Sequence, residues 1–118
     1  MLNLKLGLFT FGKFFTFGSK SLVEVSTVTT SRKRYIKTGG AISITSGTGH
    51  YRINGGSWVN TAGTVVAGDY VEARLTSSAS YSTALELVFS IAGASDTFTV
   101  TTMADNASLP YTLPFILE

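Results

Sequence analysis

The residues able to do covalent or metal chemistry are few, and their spacing argues against both. His50 is the only histidine and there is no cysteine. A zinc site would therefore draw its other ligands from carboxylates, and only one serine-histidine-aspartate triad is conceivable. None of the serines sits in a Gly-x-Ser-x-Gly setting. His50, after Gly47-Thr48-Gly49 and before Tyr51-Arg52-Ile53, reads as a loop or strand-edge residue. Gly47-Thr48-Gly49 and Thr38-Gly39-Gly40-Ala41 lack the spacing and the following helix of a phosphate loop, so they read as turns. Asp69, Asp96 and Asp105 stand singly and suit turns or caps better than calcium. The expectation is a protein that is not an enzyme and carries no metal or cofactor.

Binding chemistry has better candidates. Arg32, Lys33, Arg34 and Lys37 surround Tyr35 and form an electrostatic contact surface. Four cations give phosphate affinity that salt removes, and no nucleic-acid motif surrounds them, so nucleic acid is not the expected partner. An acidic protein surface or a merely solvated strand end suits them better. Tyr51, Trp58, Tyr70 and Tyr81 could stack on sugars. Trp58 follows a turn and is expected in the core, whereas Tyr81, in a serine-rich loop, is expected to be exposed.

The elements that must position these residues begin with an apolar N-terminus. The chain has 118 residues, 14% charged and 44% hydrophobic, which fits one folded domain and excludes disorder throughout. The net charge of +2 conceals a division. Residues 1–52 hold eight of the nine Lys/Arg and one acid, while residues 53–118 hold Arg74 against six acids. Lys5, Lys13 and Lys20 interrupt the first twenty residues too often for a membrane-spanning helix or a signal-peptide core, so no membrane association is expected. Leu2, Leu4, Leu6 and Leu8 alternate with Asn3, Lys5 and Gly7, the period of a strand. Phe9-Thr10-Phe11-Gly12 returns as Phe15-Thr16-Phe17-Gly18. Residues 1–21 are therefore expected to form an extended β-arm. Leu4, Leu6, Leu8, Phe9, Phe11, Phe14, Phe15 and Phe17 are its expected assembly contacts, because so apolar a strand aggregates unless it is covered.

Residues 22–104 are expected to form the folded domain. Leu22 to Thr30 is rich in β-branched residues and reads as one strand. Beyond Gly39-Gly40, short alternating runs are separated by turns every eight to twelve residues, the pattern of an all-β sandwich or barrel. Asn54-Gly55-Gly56-Ser57, Gly68-Asp69 and Ala92-Gly93-Ala94 supply the turns. Val71, Ala73 and Leu75 share one face of their strand, as do Leu85, Leu87, Phe89 and Ile91 of theirs. No helix is expected. Residues 105–118 contain Pro110 and Pro114 and read as an extended apolar tail lying on its own domain or a neighbour.

Tyr51-Arg52-Ile53-Asn54-Gly55-Gly56-Ser57-Trp58, Ala62-Gly63-Thr64-Val65, Gly68-Asp69, Val71 to Ser78 and Ser95 to Thr102 together resemble the immunoglobulin-like repeats of bacterial surface proteins and phage virion proteins. The resemblance covers residues 41–102 and implies an immunoglobulin-like β-sandwich. A single copy in a short chain points to the phage proteins. The resulting expectation is a virion structural protein, a capsid decoration or tail accessory, assembled in the host cytoplasm. It would dock on other virion proteins through its N-terminal arm, with homo-oligomers formed by pairing arms. The alternative is an adhesion module that binds host glycan or surface protein.

Overall fold

A computed structural model describes residues 13–105. Nine strands follow in order: β1 (Ser19–Val23), β2 (Val28–Thr30), β3 (Arg34–Tyr35), β4 (Gly40–Ser46), β5 (His50–Ile53), β6 (Gly63–Val65), β7 (Tyr70–Thr76), β8 (Ala84–Ile91) and β9 (Ala94–Thr102). Among the described residues there is no helix, hence none able to cross a membrane. The described residues are all-β, as their turn spacing implied. Two sheets enclose a shared core, an arrangement compatible with a β-sandwich.

The larger sheet runs β1-β9-β8-β4-β6. Its centre is the β8-β9 hairpin, closed by Ala92 and Gly93 at φ of 51° and 85°. The smaller sheet is built on β7. Val71 pairs with both Arg34 and Ile53, and Arg74 with both Thr30 and His50. Hence β2 and β3 lie end to end along one edge of β7, and β5 lies along the other. Between β2 and β3, Ser31 keeps the edge paired. Its N–H donates to the Ala73 carbonyl at 2.7 Å, and its hydroxyl accepts from the Ala73 N–H at 2.9 Å in place of a backbone carbonyl.

The stretch 22–30 is not one strand. It divides at residues 24–27, and β1 and β2 belong to opposite sheets. β-propensity marks the residues suited to a strand but is blind to a crossing between layers. The crossing is held by Ser77, which is buried. Its hydroxyl donates to the Glu24 carbonyl at 2.6 Å and accepts from the Thr27 N–H at 2.9 Å. A second crossing, from β4 to β5, uses Gly47-Thr48-Gly49. A Cβ at Gly47, whose φ is +91°, would stand 2.2 Å from the Glu86 carbonyl oxygen; one at Gly49 would stand 2.5 Å from that of Arg74. These glycines form a turn because no other residue fits between the sheets.

The core gathers Val71, Ala73 and Leu75 of β7, Leu87, Phe89 and Ile91 of β8, and Phe98 and Val100 of β9. Ile42 and Val65 join them from the larger sheet, and Tyr51 from the smaller. Tyr51 takes the place expected of Trp58. It is 1% exposed, and its hydroxyl donates to the Thr61 carbonyl at 2.6 Å. After the Asn54-Gly55 turn, Val59 pairs with Tyr51. Strand alternation then turns the neighbouring Trp58 to the outer face, which corrects the expected core position.

Candidate functional site

Residues 13–17 lie against the basic segment 32–37, and the two form one structure. The Tyr35 N–H donates to the Phe14 carbonyl at 2.6 Å. The Arg32 side chain donates from Nε to the Thr16 carbonyl at 3.1 Å and from Nη2 to the Thr16 hydroxyl at 2.7 Å. Each ring in this stretch meets a cation. The Arg32 guanidinium lies 3.8 Å from the centre of Phe14, Lys37 5.1 Å from Phe15 and Arg34 5.8 Å from Phe17. Lys13 in turn lies 5.0 Å from the ring of Tyr35. Such contacts contribute roughly 0.5–1 kcal/mol each at exposed positions. They fix aromatic side chains at a surface where hydrophobic burial alone would not.

Phe17 and Asp96 anchor this stretch. Phe17 is 1% exposed and packs on Phe89 at a ring separation of 4.7 Å, so it is a core residue of its own domain. It and β1 fall within the folded part of a segment whose pattern suggested an arm. The Asp96 carboxylate accepts from Arg34 Nε at 2.7 Å, the Phe17 N–H at 3.1 Å and its own neighbour, the Thr97 N–H, at 2.9 Å. Arg34 is opposite Val71 and shares its inward direction. Its guanidinium is therefore occupied within the domain, while Arg32, Lys33 and Lys37 are exposed. Asp96 had been expected only to cap a turn. The charge division of the chain was the available signal for the pair, since it sets basic residues 32–37 against later acids.

Phe14 and Phe15 remain 47% and 41% exposed. Beside Phe15 an open groove of about 320 Å³ is lined by Arg34, Tyr35, Lys37 and the β8-β9 hairpin residues Ile91, Ala92 and Ala94. The expected contacts Leu4, Leu6, Leu8, Phe9 and Phe11 lie outside the described residues, as does the tail beyond Asp105.

A second groove, of about 520 Å³, opens where the chain crosses from β4 to β5. Val28 and Leu85 form its apolar wall, and His50, Arg74 and Glu86 are its titratable residues. Among the described residues no three of His, Asp and Glu gather as a metal site. Asp69 serves a turn, as its setting implied. It accepts from the Val66 N–H at 2.9 Å and the Asn54 amide at 3.0 Å, and these hydrogen bonds hold its carboxyl below the ordinary range. Tyr81 is 46% exposed in its loop.

The outer face of the smaller sheet carries a feature that sequence order hides. Trp58 lies against two guanidinium groups, Arg52 at 4.5 Å and Arg74 at 4.3 Å from its ring centre. Arg52 also pairs with Glu72 at 2.9 Å. Further along the same face, Tyr35 and Tyr70 contact each other at 5.7 Å, with Lys33 4.7 Å from the Tyr70 ring. These residues come from four separate stretches of chain, so no local motif could reveal them. No family model matches this chain, and neither a curated protein nor a solved structure matches it.

Proposed function

We propose that this chain is a non-enzymatic structural component of a phage virion that docks on a larger protein assembly through its N-terminal segment. Its two-sheet domain, read as immunoglobulin-like from the resemblance at residues 41–102, would be displayed on that assembly. The observation that carries the reading is the pair Phe14 and Phe15, held at the surface by Arg32 and Lys37 beside an open groove. Exposed aromatic rings whose positions are already fixed lose little side-chain entropy when covered, which favours them as contact residues. Because Phe17 is anchored in the core, the residues preceding Lys13 start from a fixed point on the domain. Their leucine and phenylalanine alternation would then add a strand to a partner sheet and hide its apolar side. Copies of the chain could also associate through the same segment.

The test is a tagged chain lacking residues 1–12, compared with the full chain for incorporation into particles purified from the producing lysate. Truncation at residue 20 is unsuitable, since it removes Phe17 from the core. Loss of incorporation with an unchanged melting temperature is expected. Undiminished incorporation would overturn the proposal.

A further inference from the structure

We propose that the outer face of the smaller sheet binds single-stranded nucleic acid. The inference needs neither residues 1–12 nor Phe14 and Phe15, because it rests on Lys13, Lys33, residues of β3, β5 and β7, and Trp58. The four cations Lys13, Lys33, Arg52 and Arg74 meet the three rings of Tyr35, Tyr70 and Trp58, with Glu72 as the carboxylate among them. From Tyr70 to Arg74 the row runs four residues along β7, about 13 Å at the usual strand rise. The opposite outer face, on the larger sheet, differs in kind. There Ser43, Ser90, Thr97, Thr99 and Thr101 present hydroxyls, with Glu86 among them.

The composition of the face selects its partner. Neutral sugars could use the Tyr35 and Tyr70 hydroxyls but bring no counter-charge to Lys33 and Arg74. A second copy would have to bring an acidic face, and the hydroxyl-rich sheet is not one. Phosphates satisfy the cations, and unpaired bases can stack on tyrosine, tryptophan or arginine side chains. Duplex DNA fits poorly, since the described residues hold no helix to enter a major groove. The basic run 32–37 by itself suggested weak electrostatic contact. What strengthens the case is the sheet register, which adds Arg52, Trp58, Tyr70 and Arg74 to Lys33 and Tyr35.

The experiment is fluorescence anisotropy of the full chain with a labelled oligothymidylate of about 20 nucleotides, longer than a typical single-domain footprint. Three phosphate contacts, from Lys13, Lys33 and Arg74, give a slope of log affinity against log salt of about −2.1, or about 18-fold weaker binding between roughly 50 and 200 mM salt. Lys33→Gln and Arg74→Gln should each reduce the slope by about 0.7, while Lys20→Gln, on β1, leaves it unchanged. Trp58→Ala should weaken binding about tenfold, a loss typical of one stacked base. Thermal melts of each variant separate binding loss from unfolding. Three outcomes would each overturn the assignment: no binding at the lower salt, equal effects of Lys20→Gln and Lys33→Gln, or tighter binding of a sulfated polysaccharide than of the oligonucleotide through the same residues.

Discussion

Replacing Asp96 with alanine removes one carboxylate and undoes three contacts. The Asp96 and Arg34 side chains are only 10% and 12% exposed and meet at 2.7 Å. Without the carboxylate, the Arg34 guanidinium stays largely desolvated with its Nε unpaired, and the Phe17 N–H loses its acceptor. Breaking a buried ion pair from one side costs about 3–5 kcal/mol. In a domain of this size such a loss lowers the melting temperature by at least about 12 °C. An internal control exists in the Arg52-Glu72 pair, whose side chains are 31% and 14% exposed. Screening by solvent should hold the cost of Glu72→Ala to about 1 kcal/mol or less. Urea unfolding followed by fluorescence of the single tryptophan, Trp58, gives both numbers. A double-mutant cycle of Asp96→Ala with Arg34→Met should show strong coupling, since the second change removes the stranded charge. If Asp96→Ala costs no more than Glu72→Ala, or the cycle is additive, the clasp at residues 13–17 is not held as described.

Other consequences are local. Gly47→Ala should cost about 2 kcal/mol or more in urea unfolding, because its Cβ would overlap backbone at a positive φ, whereas Gly93→Ala, with open space around it, should cost less. Burial pushes the Tyr51 phenol above its ordinary value. Its contribution to stability is therefore full below about pH 10 and is lost as pH rises through the raised value. Tyr51→Phe should cost about 0.5–1.5 kcal/mol at neutral pH through the lost bond to Thr61 and should flatten the alkaline decline. Superimposable alkaline limbs for the two proteins would contradict this.

The strands with strict alternation were legible from sequence because one face of each is buried. Residues 71–75 and 85–91 show this directly, although Leu85, at the open end of β8, is 40% exposed. The turns at Asn54-Gly55 and Ala92-Gly93 were legible through residues that accept positive φ. The layer crossing at residues 24–27 was not, because the contacts that fix it come from Ser77, some fifty residues away. Trp58 was misassigned for a related reason. Size argues for burial, but the pairing of Val59 with Tyr51 decides the side it faces. Of the expected contact residues, Phe14 and Phe15 are exposed, whereas Phe17 is drawn inward by Phe89 and Asp96. The basic run reads as a contact surface, yet Arg32, Arg34 and Lys37 reach residues 14–17 and Asp96 of the same chain. Apolar residues and cations are distinct signals in a sequence, while cation-π contact joins them in space.

N-terminal docking is tested most directly by a density map of the assembled particle. Residues 1–12 of each copy should pack against a neighbouring protein, with Phe14 and Phe15 covered at the same contact. A map in which the domain attaches through another surface, with that segment in solvent, would contradict it.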